Sequence, residues 1–252
     1  MLIFKRFLIW LVPIFTLIAF KLIFFNPRWI YWILPALALF LVFIIWHLNN
    51  YQLKKFKIFL ITPLILLFSS TLFVAFLKTK TLKYFIVLVL AVFLAVFLET
   101  LFLSLYKPDR YQIGSLENIS GYLNLISLFF LVSGLYGLLI FLVIPLWILA
   151  LVLLVVSALL TYEIMAVSEI LFSKSWSYII IFSLILLELF WVISFLPTSV
   201  YVNGLIIALA YYVMAGLSRN WLLGNLEKSV IKRYLLVSLV CFIVILITAK
   251  WS

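Results

Sequence analysis

One cysteine, one histidine, one aspartate and seven glycines are all that this 252-residue chain offers of the residues from which many active sites are built. A single cysteine, Cys241, excludes an intrachain disulfide, and with one histidine it leaves no material for a His/Cys metal site. No glycine-rich loop is present to cradle a phosphate. Catalysis on lipids or peptides at a membrane usually draws on clustered Asp, His, Ser or metal ligands, so Asp109 and His47 alone are a poor start. No lysine lies in the middle of a late apolar run, which excludes a retinal attachment point.

Charge is equally scarce. The chain is 69% hydrophobic and 10% charged, far from the balance of a soluble globular domain. Apolar runs of about 20 residues follow one another, each long enough to cross a hydrocarbon core roughly 30 Å thick. The expected fold is therefore all-α: a polytopic transmembrane bundle of about nine spans forming a single integral membrane domain over residues 1–252. The spans are expected at 7–25, 29–48, 57–77, 83–106, 120–142, 145–172, 176–196, 199–217 and 233–250. From Tyr122 to Tyr162 there is no charge at all. As one helix this stretch would be about 60 Å long, so it must fold back, and Pro145 as the first residue of a new helix is the expected turning point. The N-terminus has the basic start and apolar stretch of a signal peptide. No small-x-small cleavage pattern follows, and Pro13 and Lys21 fit an uncleaved first span.

The net charge of +11 is explained by topology rather than nucleic acid, because cytoplasmic connectors concentrate Lys and Arg. With nine spans, Lys5, Arg6, Lys54, Lys55, Lys57, Lys107, Arg110, Lys174, Arg219, Lys228, Lys232 and Arg233 share one side. Lys21, Arg28, Lys78, Lys80, Lys83 and Lys250 share the other. This two-to-one excess predicts a cytoplasmic N-terminus in a prokaryotic plasma membrane. Eight of the nine tryptophans fall toward span ends, where indole prefers to sit, and only Trp191 lies well inside. Lys21 and Lys250 should snorkel to the headgroups. The bilayer is the expected partner, with anionic headgroups on the cytoplasmic face, and neither cofactor nor metal is implied. Gly114-Ser115-Leu116-Glu117 and Gly224-Asn225-Leu226-Glu227 share a spacing of 110 residues. Ser115 and Asn225 read as helix N-caps with a carboxylate in the first turn, and capping alone accounts for the likeness without a repeat.

Three carboxylates fall inside spans: Glu99, Glu163 and Glu188. A charge in hydrocarbon costs several kcal/mol unless neutralised, paired or hydrated, so these positions hold the functional promise. Neutral acids are the expected resting form. Depth matching across tight hairpins sets Glu163 opposite Asn124, Glu99 opposite Thr62, and Glu188 opposite Gly204 and Ala208 within reach of Tyr211 or Tyr212. Glu163 and Glu169 are about 120° apart on a helix and do not form one metal site. Small and polar residues recur at Ser120, Asn124, Ser127 and Gly134, and at Gly204, Ala208, Tyr211 and Ala215, as in close helix contacts. Asp109, Arg110 and Arg219 are surface candidates for headgroup contact or a lipid-modifying cleft. The leading expectation is a transporter-like protein for a small solute or lipid, with Glu99 and Glu188 as proton or cation carriers. A non-catalytic assembly or scaffold protein, with the same carboxyls as helix locks, is the alternative, and a lipid-modifying enzyme comes third.

Overall fold

The computed structural model describes residues 2–49 and 53–249, with the side chains of 5–49, 56–247 and 249. Lys250 and Trp251 lie outside the described residues. Those described are almost wholly helical and contain nine helices long and apolar enough to cross a membrane. They are α1 (Leu2–Phe25), α2 (Ile30–Leu48), α3 (Leu53–Phe76), α4 (Lys80–Tyr106), α5 (Ser115–Phe141), α6 (Leu146–Val167), α7 (Phe172–Ile193), α8 (Val200–Leu222) and α9 (Lys228–Thr248). The chain is thus a multi-pass helical membrane protein. In such a solvent each backbone polar group must find its partner inside the protein, and a helix supplies one within its own segment.

Most turns follow their punctuation. Pro145 caps α6 and its missing N–H is harmless there, so the uncharged stretch folds back where expected. Pro13, Pro35 and Pro63 are carried inside α1, α2 and α3. Two N-caps differ from expectation. The Ser115 hydroxyl donates back to the Gln112 carbonyl, and the Leu116 N–H is answered by the Tyr111 hydroxyl instead. Helix α9 starts at Lys228 with Glu227 as its cap, so Asn225 belongs to the end of α8. There the Asn225 N–H reaches the Asn220 carbonyl around Gly224, whose φ of 73° is the left-handed value such a termination requires. Helix α6 stops at Val167, five residues before its expected end at 172, because Glu169 takes the same left-handed role.

The chain divides into two compact units, residues 1–123 and 124–252, with the boundary inside α5. In the first, α1 packs on α2 and α4, α3 packs on α2 and α4, and α2 also meets α4. In the second, α6 packs on α7 and α8, α7 on α8, and α8 on α9. Lipid is as apolar as leucine, so these contacts rest on close packing and polar links rather than on water exclusion. Gly204 shows how close: a Cβ there would stand 2.1 Å from Ser133 Oγ and 3.2 Å from backbone atoms of Phe129 and Ser133. The buried face of α8 runs Asn203, Gly204, Ile207, Ala208, Tyr211, Ala215 and Ser218, the small-residue face read from spacing. At its far end Gly216 admits the ring of Tyr234 from α9.

Candidate functional site

In the second unit α5 and α6 run antiparallel from the turn at residues 142–145, so positions level in depth add to a constant, and Asn124 and Glu163 are such a pair. Both are fully buried. The Asn124 amide donates to Glu163 Oε2 at 2.7 Å and to the Leu160 carbonyl at 3.3 Å. Thr161, also fully buried, turns its hydroxyl back to the Ser157 carbonyl and so occupies its own donor. From α8, the buried Tyr211 brings its hydroxyl beside Glu163, Thr161 and Asn124. Three helices therefore bring one carboxyl, one amide and two hydroxyls to a common interior locus. A second interior link holds α5 to α7: the Tyr136 hydroxyl donates to the Phe190 carbonyl at 2.8 Å, with the two rings stacked at 4.5 Å.

Glu188 is not part of this locus. It is exposed on α7, with Leu184, Trp191 and Val192 exposed on the same side. The buried stripe of α7 is Ile179, Ser183, Leu186, Phe190 and Ile193. Glu188 is two residues from both Leu186 and Phe190, and two steps of about 100° carry it to the opposite face. Depth matching fixes height along a hairpin but not rotation about the axis, which is why the pairing with Tyr211 or Tyr212 fails. Tyr211 faces the Glu163 locus, and Tyr212 packs on Tyr234 of α9 with ring centroids 4.9 Å apart. Glu188 also lies five residues from the end of α7.

In the first unit Glu99 pairs with Arg6 at 2.8 Å rather than with Thr62. The start of α1 lies beside the end of α4, so a cation assigned to the connector reaches a carboxylate assigned to the span. Next to it, the buried Lys5 ammonium donates to the Tyr106 hydroxyl at 2.6 Å, and that hydroxyl donates to the Leu48 carbonyl, which ties the end of α2 to α1 and α4. Nothing in the spacing singled out Tyr106 or Tyr136. The available signal was the place of Tyr106 at a helix end, where a hydroxyl can reach a carbonyl that the end of a neighbouring helix leaves open, and the place of Tyr136 between Gly134 and Gly137.

Asp109 and Arg110 are exposed in a single 3-10 turn after α4, in the first unit, whereas Arg219 lies in the last turn of α8, in the second. Among the described residues no three of His, Cys, Asp and Glu come together in a manner suited to a metal ion. Comparison with protein-family models, with curated proteins and with solved structures found no match.

Proposed function

We propose that this multi-pass membrane protein is a non-enzymatic scaffold in which the intramembrane carboxyls lock helices together, rather than a carrier that moves protons through them. The observation that carries this reading is the Asn124–Glu163 pair, fully buried between α5 and α6 with Tyr211 packed over it from α8. A relay group must alternate between partners and meet water on at least one side. Glu163 instead sits in a packed three-helix junction, where an amide geometrically suited to one oxygen favours one fixed arrangement. Glu99 supports the same role, since one oxygen of its carboxyl meets a guanidinium nitrogen of Arg6 from the neighbouring helix. Glu188 faces outward, so the pair Glu99 and Glu188 does not supply two stations on one interior path.

The excess of Lys and Arg on one set of connectors supports a plasma-membrane location with the N-terminus in the cytoplasm. Reporter fusions at the two termini test that orientation, and signals from the same side would refute it. The function itself is tested in reconstituted vesicles loaded with a pH-sensitive dye and given a pH step. The proposal expects proton leak equal to that of protein-free vesicles. A protein-dependent flux abolished by Glu163→Gln or Glu99→Gln would overturn it in favour of transport.

A further inference from the structure

At the end of the first unit opposite to Lys5 and Tyr106, the end of α1, the start of α2, the end of α3 and the start of α4 enclose a cavity of about 390 Å³. Phe20, Ile23, Phe24 and Val74 give it apolar walls, and Lys80 and Lys83 stand at it from the first turn of α4. We propose that this cavity binds one membrane lipid with an anionic headgroup, its phosphate held by Lys80 and Lys83 and its hydrocarbon lying against the aromatic wall.

Three observations point to that ligand. A helix N-terminus carries partial positive charge, and two lysines three residues apart add to it and repel each other. Helix α4 has no acidic residue in its first turn, and Thr79 makes no side-chain cap there, so the chain does nothing locally to offset this charge. No counter-ion comes from nearby in sequence: residues 1–98 contain ten Lys and Arg and no Asp or Glu, and among the described residues no carboxylate lines the cavity. The first carboxylate of the chain, Glu99, is paired to Arg6 at the other end of the unit. An anion from outside the chain answers the charge, and a lysine ammonium is a suitable point charge for phosphate. A small inorganic anion would leave the apolar wall uncovered, whereas an uncharged chain would leave the ammoniums unanswered. A lipid satisfies both, and the cavity lies where helices end and headgroups begin.

The test is native mass spectrometry of the full-length protein released from detergent, with phosphatidylglycerol or phosphatidylcholine of identical chains as the added lipid. Retention of one phosphatidylglycerol is expected to exceed that of phosphatidylcholine by about 30-fold, from roughly 1 kcal/mol per lysine at 1.4 kcal/mol per decade. Lys80→Gln with Lys83→Gln should abolish the preference, and Lys228→Gln with Lys232→Gln, which removes the same charge elsewhere, should not. Ala75→Phe keeps both lysines but fills the cavity wall, and it should also lose the retained lipid. Equal retention of the two lipids by the unaltered protein would overturn the proposal. So would an unchanged preference in the double lysine variant, or a preference that survives Ala75→Phe, which would mean adsorption outside the cavity. Displacement of the lipid by an equal concentration of inorganic phosphate would assign the site to a soluble anion and equally refute it.

Discussion

Replacing Asn124 by leucine removes the amide that faces Glu163 while keeping a side chain of similar size. Two hydrogen bonds are lost, at 2.7 Å to the carboxyl and 3.3 Å to the Leu160 carbonyl, and the space has no exposure through which water replaces them. Interhelical hydrogen bonds in membranes average only about 0.6 kcal/mol, because the unfolded helices also find partners. Orphaning a buried polar group costs about 1–3 kcal/mol, and a carboxyl sits toward the upper part of that range. The expected loss is therefore about 2 kcal/mol. Reversible unfolding in mixed micelles with increasing sodium dodecyl sulfate measures it. Glu163→Leu alone should cost less, because the amide keeps its bond to the Leu160 carbonyl, and the double variant Asn124→Leu with Glu163→Leu should cost less than the sum of the two by about 1 kcal/mol or more. Additive losses, or an Asn124→Leu effect below about 0.3 kcal/mol, would refute the idea that this pair locks α5 to α6.

In the same assay Gly204→Ala should destabilise by about 1–3 kcal/mol, since its new methyl meets the backbone of α5 at 3.2 Å as well as the Ser133 hydroxyl, and backbone cannot rotate away. Restoration by Ser133→Ala would show that only the hydroxyl was in the way. Val143 holds a φ of 52° in an exposed, apolar turn, a strained value for a β-branched residue, so Val143→Gly should stabilise by about 1 kcal/mol, and a loss of stability would show that the turn is held by packing of the isopropyl group. Arg6→Gln and Glu99→Gln should each cost less than about 1 kcal/mol, because Arg6 is half exposed and its charge is screened, with Lys5 and Tyr106 still tying the same helices.

Helix number and most helix ends are legible in the sequence because the bilayer imposes a length and because Pro145 and Gly224 mark turns by stereochemistry. The Asn124–Glu163 pair is legible for a related reason: a short turn makes depths sum to a constant, and both residues happen to lie on their buried faces. Glu188 shows where that reasoning stops. Nearly every residue around it is apolar whichever way it faces, so hydrophobic periodicity, the usual guide to rotation about a helix axis, is faint in lipid. Glu99 was legible as a polar position facing a neighbour, but its partner came from α1 rather than α3, since the order of helices around a bundle is not written in hairpin lengths. In the sequence Lys80 and Lys83 are only two of the six cations on the minority side, and nothing there marks a cavity. Its walls come from four helices, and no single stretch of sequence contains it.

Whether water reaches the Glu163 locus decides between a lock and a carrier more directly than any stability value. Ser157→Cys places a thiol of nearly the same size at a fully buried position one helical turn from Thr161. The rate of its modification by a membrane-impermeant methanethiosulfonate, applied to each side of oriented vesicles, is the measurement. A helix lock predicts no modification from either side until the protein is denatured. Rapid modification from one side of the folded protein would reveal an aqueous path into the Glu163 locus and contradict the account.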